Sequence, residues 1–133
     1  MTPTTTRYQL MQPQEAQEVR TFLARSGFMF SQELEFPTVV AWRSGKIVGV
    51  LSTRSDPSYV IAGPLAVRVK GNRAVVALRL GEAYERVLRM AGVQWYVFQV
   101  SKDNEWPQVA ERKWNAKPYA EDDDSYWYRR EVA

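Results

Sequence analysis

The segment that most restricts how this chain can fold runs from Leu65 to Leu80. A strand-like run, Leu65-Ala66-Val67, leads through Arg68-Val69-Lys70-Gly71-Asn72-Arg73 into a helix opening at Ala74. Over residues 74–91, Val76, Leu80, Ala83, Tyr84, Val87 and Leu88 recur on one face, with Arg79, Glu82, Arg86 and Arg89 opposite. Gly92 suits the end of that helix. Gln94 to Val100, aromatic and β-branched, reads as the next strand.

The flanking segments supply more strands than helices. Tyr8 to Met11 reads as a strand. Pro13-Gln14-Glu15 opens a helix whose apolar positions are Ala16, Val19, Phe22 and Leu23, with Gly27 as its stop. Residues 28–37 have no clear period; they carry Phe28, Phe30 and Phe36 and close at Pro37. Thr38 to Arg43 and Ile47 to Thr53 flank Ser44-Gly45-Lys46 as a β-hairpin. After a turn at Asp56-Pro57-Ser58, Tyr59 to Val69 forms a strand. Its Gly63-Pro64 step implies an edge, a bulge or a break. Asp103-Asn104 can cap a further helix with Pro107 in its first turn, turning Trp106, Val109, Ala110 and Trp114 inward. Pro118 ends that segment, and Ser125 to Val132 is the last strand. The order β-α-β-β-β-α-β-α-β indicates an α+β domain spanning residues 1–133, with no repeat or linker.

Composition narrows the chemistry. The chain has no cysteine and no histidine, which removes disulfides, thiolate nucleophiles, imidazole bases and Cys or His metal sites. A net charge of +3 is too mild to mark a committed nucleic-acid binder and suits an anionic small molecule equally well. Residues 1–15 contain no apolar signal-peptide core, and no stretch approaches the ~18 apolar residues of a membrane span. The expectation is therefore a cytoplasmic protein without a membrane partner.

The junction at residues 68–75 has the makings of a phosphate site. Arg68, Lys70 and Arg73 supply cations with no acid nearby, Gly71 permits a tight turn, and the helix start offers unpaired N–H groups. An ordinary strand-to-helix turn with solvated cations is the plainer alternative.

On these residues the sequence resembles the GNAT acetyltransferase family, through element order over residues 8–131 and through motifs from Gly45 to Trp114. Gly45-Lys46-Ile47-Val48-Gly49 is similar to the family's G-x-x-V-G strand pair. Leu65-Ala66-Val67 with the basic glycine loop is similar to its strand 4 and pyrophosphate loop. Val100 to Asn104 is similar to its V-x-x-x-N step. Gly63-Pro64-Leu65 with Gly71-x-Arg73-Ala74 is also similar to compact members found in bacteriophages. The loop departs from the family's Gln/Arg-x-x-Gly-x-Gly/Ala pattern, because Arg73 fills the final small position and Ala74 follows it.

The resemblance implies a central, mostly antiparallel, splayed sheet of six to seven strands with three to four helices. It implies acetyl-CoA as co-substrate, bound by Leu65, Val67, Arg68, Val69, Lys70, Gly71, Asn72, Arg73, Ala74, Val75 and Asn104. It further implies direct attack by a primary amine, small or macromolecular, without a covalent enzyme intermediate. Strand 4 offers no glutamate base in Tyr59-Val60-Ile61-Ala62. The family's tyrosine slot, seven residues after the asparagine, holds Glu111, which would have to carry a proton to act. Tyr119 and Tyr126 are the alternative donors.

Two other readings stay open: a phage-borne acyltransferase acting on modified DNA or nucleotides in the host cytoplasm, and a non-catalytic GNAT-like binding or assembly module. For the first, Arg86, Arg89, Arg112, Lys113, Arg129 and Arg130 would form a basic patch. Five tryptophans and seven tyrosines, among them Trp95, Tyr96, Trp106, Trp114, Trp127 and Tyr128, can build a core, a substrate pocket or a homodimer face. Glu121-Asp122-Asp123-Asp124 would attract a cationic amine or form a solvated turn.

Overall fold

In the strands that lie between the two long helices, residues are buried on both sides of one sheet, because a helix covers each face. The computed structural model describes residues 5–28, 34–56 and 59–132. Its strands are β1 (Thr6–Leu10), β2 (Val39–Arg43), β3 (Lys46–Asp56), β4 (Tyr59–Val67), β5 (Trp95–Ser101), β6 (Lys117–Glu121) and β7 (Ser125–Glu131). They form a seven-stranded sheet in the order β1-β2-β3-β4-β5-β7-β6. Every neighbouring pair is antiparallel except β4 and β5. The expected α+β class and mostly antiparallel sheet are what the chain adopts.

Helix α1 (Ala16–Arg25), entered through a 3-10 turn at Pro13–Glu15, sets Val19 and Leu23 against Val40, Trp42, Val50 and Ala66. Helix α2 (Arg73–Met90) sets Val76, Leu80, Tyr84 and Leu88 against Val39, Ala41, Leu51, Val67 and Tyr96 on the other face. This is why Val39 to Trp42 are all buried rather than alternately exposed. Gly49 permits the close approach of α2: a Cβ there would stand 2.9 Å from Leu80 Cδ1. Both helices end in the six-to-one and five-to-two bonding of a glycine stop. Phe28 N–H donates to the Leu23 carbonyl and Val93 N–H to the Leu88 carbonyl, each at 2.9 Å.

The hairpin turn at Ser44 and Gly45 uses positive φ at both residues, 53° and 75°, which matches the twist of the flanking strands. Gly63-Pro64 proves to be a bulge. Leu51 pairs with Leu65 and Thr53 with Ala62, so Ser52 alone stands opposite both residues.

The C-terminal region differs from the sequence-based expectation. After β5 comes only a short helix, α3 (Trp106–Gln108), continued by a π-helical turn over Val109–Lys113. Pro118 does not end the structured segment but sits within β6, the outermost strand, where its missing N–H costs no ladder bond on the open side. All five residues of β6 are exposed, so no alternation marks it. Phe30, and Pro57 and Ser58 of the expected turn, lie outside the described residues.

Candidate functional site between the splayed strands

Strands β4 and β5 pair only at Ile61 with Val97 and Ala62 with Phe98, then diverge. Arg68 N–H donates to the Val48 carbonyl at 2.8 Å, so in an antiparallel ladder Ala66 and Arg68 turn their backbone groups toward β3. Leu65 and Val67 therefore turn theirs toward β5, where no strand meets them. A run of unpaired main-chain donors and acceptors thus faces the opening.

The opening is a cavity of about 640 Å³. Its apolar wall is Leu51, Leu65, Ala77, Gly81, Phe98, Val100, Trp106, Val109, Ala110 and Trp114. Its polar lining is Arg54, Gln99, Ser101 and Asn104. Asn104 Oδ1 accepts the Trp106 N–H at 2.9 Å and thereby sets the turn that delivers Trp106 to the cavity.

The wall is braced from behind by a charged cluster. Tyr96 Oη donates to Glu85 Oε2 at 2.7 Å and accepts from Trp114 Nε1 at 3.1 Å. Arg130 Nε donates to the same Glu85 oxygen at 2.8 Å, and its guanidinium lies 4.5 Å from the Trp114 ring centroid. Burial, then the Glu85 carboxylate, holds the Tyr96 hydroxyl well above its ordinary pKa. Tyr96 lines the cavity, but its proton is committed to Glu85.

Below the cavity, α2 begins without a side-chain cap, after Gly71 and Asn72 at φ of 69° and 52°. Its first intrahelical bond is Val76 N–H to the Asn72 carbonyl at 3.1 Å, which leaves the N–H groups of Arg73, Ala74 and Val75 outside the ladder. Arg68, Lys70 and Arg73 are exposed and form no ion pair among the described residues. The Arg73 guanidinium lies 5.7 Å from the Trp106 ring centroid, so the basic corner and the cavity share a wall.

Over 97% of its length the chain matches the ribosomal-protein-S18-alanine N-acetyltransferase of Escherichia coli, across 95% of that chain, at a TM-score of 0.76 and 13% identity. It matches a GNAT-family acetyltransferase of Staphylococcus aureus Mu50 over 97% of its length and 100% of that chain, at 0.71 and 11%. It matches the diaminobutyrate acetyltransferase of Paenibacillus lautus, solved with L-2,4-diaminobutyric acid and coenzyme A, over 96% of its length and 95% of that chain, at 0.70 and 15%. The fold is the GNAT fold. No protein-family model and no curated protein matches the sequence.

Within this GNAT fold the residues expected to bind cofactor fall into two connected groups. Leu65 and Asn104 line the cavity, and Val67 follows Leu65 along the open β4 edge. Arg68, Val69, Lys70, Gly71, Asn72, Arg73, Ala74 and Val75 form the corner below it. The three candidate proton donors stand outside the cavity lining. Tyr119 and Tyr126 lie on the exposed β6–β7 hairpin. Glu111, on the π-helical turn, accepts the Tyr128 hydroxyl at 3.1 Å.

The acidic run closes the β6–β7 turn. Asp122 Oδ1 accepts the N–H groups of Asp124 and Ser125 at 2.9 and 2.8 Å, and these bonds, the Asp124 one foremost, hold its carboxyl below the ordinary range. Glu121 pairs with Lys102 at 2.8 Å. Of the residues expected to form a basic patch, Arg89 is bonded to the Val132 carbonyl, Arg129 to Glu131 and Arg130 to Glu85. Sequence reasoning did not single out Arg54, Gln99, Ser101 or Gly81. The available signals were the period-two alternation of β5, with Gln99 and Ser101 opposite Phe98 and Val100, and a glycine in the middle of an amphipathic helix.

Proposed function

We propose that this protein is an N-acetyltransferase that carries acetyl from acetyl-CoA to a primary amine. The observation that carries this reading is the divergence of β4 and β5 into a cavity whose open β4 edge leads down to the uncapped, basic start of α2. A pantetheine arm has amides that suit an unpaired strand edge, and a pyrophosphate suits a helix N-terminus with nearby cations. Leu65 and Val67 would hold the arm, and Arg68, Lys70, Arg73 and the N–H groups of Arg73 to Val75 the phosphates. The fold neighbour solved with diaminobutyric acid and coenzyme A supports the same assignment.

Acetyl-CoA, as substrate, supplies an activated acyl carbon: the amide bond to the amine forms as the carbon–sulfur bond breaks, and the amine's proton passes to solvent. The chain's part is to hold the two reactants together in a site walled by apolar side chains, which by itself supplies much of the rate of acyl transfer. With no cysteine and no histidine, an acyl-enzyme on those residues is excluded.

One observation favours a second reading, a module that binds acyl-CoA without turnover: among the described residues no carboxylate lines the cavity, and the one tyrosine hydroxyl there is committed to Glu85. Calorimetric titration with CoA, followed by thiol release from acetyl-CoA with a panel of amines, tests both. CoA binding with amine-dependent thiol release supports the enzyme; binding without release supports the module; no binding overturns both.

A further inference from the structure

The cavity is divided by the plane of the sheet. Leu51 belongs to the α2 face and Val50 to the α1 face, and the Thr53 hydroxyl meets Tyr84 of α2, so alternation puts Arg54 on the α1 face. Tyr96 and Phe98 pack on the α2 side and Val100 against Ala110, so Gln99 and Ser101 also belong to the α1 face. Gly27 and Phe28, directly after α1, complete that side. One half of the cavity is thus apolar and shared with α2. The other half holds Arg54, Gln99 and Ser101.

Among the described residues Arg54 is the only charged one in the lining. It has no ion pair or hydrogen bond among the described residues. Ser101 Oγ accepts the Asp103 N–H at 3.2 Å, which leaves its own hydrogen to donate. Gln99 Nε2 donates to Ser125 Oγ at 2.9 Å, which turns its carbonyl oxygen away as an uncommitted acceptor. The polar half therefore offers two donors, one of them cationic, and one acceptor. Donors of this kind suit an anion, and the acceptor suits the hydrogens of an amine.

Resting on the acetyltransferase reading, we infer that the acceptor is an amine that also carries an anionic group, a carboxylate or a similar oxyanion, held by Arg54 with Ser101. Arg54 is exposed while lining the cavity, so its pairing with a carboxylate gains from charge-assisted hydrogen bonding rather than from burial. The same charge repels an acceptor bearing a second cation, so Arg54 discriminates against diamines as well as for acids.

The test compares ω-amino acids of two to five methylenes with the corresponding ω-amino amides and α,ω-diamines, at equal free-base concentrations, using thiol release by the full chain. The expected order of kcat/KM is acid above amide above diamine, with the best acid at least ten times its amide. In Arg54→Gln the acid's KM should rise about tenfold and the order should collapse. Equal values for acid and amide in the wild type, or a preference that survives in Arg54→Gln, overturns the inference. Binding of the N-acetylated ω-amino acids, followed by NMR, reads the anion site without turnover. Binding to the wild type that is lost in Arg54→Gln supports the site even if no amine is acetylated, and no binding to the wild type overturns it. CoA calorimetry on the wild type reports separately on the acetyltransferase reading.

Discussion

Gly81 of α2 lies directly beneath the indole of Trp114, so close that a Cβ on the glycine would stand 2.8 Å from Cζ2. The ring cannot readily yield. Its Nε1 is bonded to Tyr96 and its face is covered by Arg130. Gly81→Ala should gain about 1 kcal/mol in helix propensity and lose about 1–3 kcal/mol to overpacking. The expected net result is a lower urea midpoint and a distorted cavity wall, read as weaker CoA binding. A stabilised variant with unchanged affinity would show that Trp114 moves aside freely.

Behind that wall, Glu85 is 5% exposed and answers two partners, the Tyr96 hydroxyl and the Arg130 guanidinium. Glu85→Ala leaves both without an acceptor and should cost about 3–5 kcal/mol, as breaking one side of a buried pair does. Glu85→Gln keeps an oxygen in place and should cost less. Equal unfolding free energies for the two variants would contradict this.

The alkaline limb of stability follows from the tyrosines. Burial, foremost, raises Tyr84 and Tyr96 above the ordinary value. Burial, then the bond to Glu111, raises Tyr128 to about 12. Below the unfolded value of about 10 their contribution is fully present. Above it the unfolded chain releases protons that the folded chain retains, so stability falls as pH rises through the folded values. Each tyrosine adds up to about 1.4 kcal/mol per pH unit to that fall. The Lys102 ammonium, raised by its bond to Glu121, acts in the same direction. Urea midpoints taken upward from pH about 9 should drop progressively, and Tyr128→Phe should make the drop shallower.

The parts of this molecule that the sequence made readable are those whose physics is local. The Ser44-Gly45 turn needs positive φ, and α2 carries its apolar residues at helical spacing over 18 residues, so hairpin and helix both declare themselves. The basic corner is continuous in sequence and was readable for the same reason. Strand β6 was not, because an edge strand exposed along its whole length needs no hydrophobic pattern. Nor was the cavity: Phe28, Arg54, Gln99 and Trp114 meet only through sheet register and the divergence of β4 from β5. Arg54 by itself reads as one more solvated cation.

The basic corner can be probed directly. Replacing Arg68, Lys70 and Arg73 together by Ala should weaken CoA tenfold or more, roughly 1.4 kcal/mol. Gly71 has a φ of 69° and no neighbour within 4 Å of an added Cβ, so its requirement is one of backbone rather than space. Gly71→Val should therefore cost about 1–2 kcal/mol of stability and lower CoA affinity as well. Unchanged calorimetric affinity in both variants would make the loop purely structural.

The thiolate that acetyl transfer would expel from CoA needs a proton. A side-chain acid would have to reach the sulfur from the cavity wall, yet Tyr119 and Tyr126 are 49% and 36% exposed on the hairpin and do not line the cavity. Glu111 is occupied by Tyr128. With no side-chain acid or base free to act in the lining among the described residues, the amine would arrive neutral and the thiolate would take its proton from water or from the ammonium product. Tyr119→Phe and Tyr126→Phe should then each keep kcat within about threefold, well short of the ~10²-fold that losing a general acid costs. The pH dependence of kcat/KM should follow the pKa of the acceptor amine, shifting when the acceptor is changed and staying put when either tyrosine is. A drop of about 10²-fold in one Phe variant, at unchanged CoA affinity, would identify that tyrosine as the donor and require the hairpin to fold over the cavity during turnover.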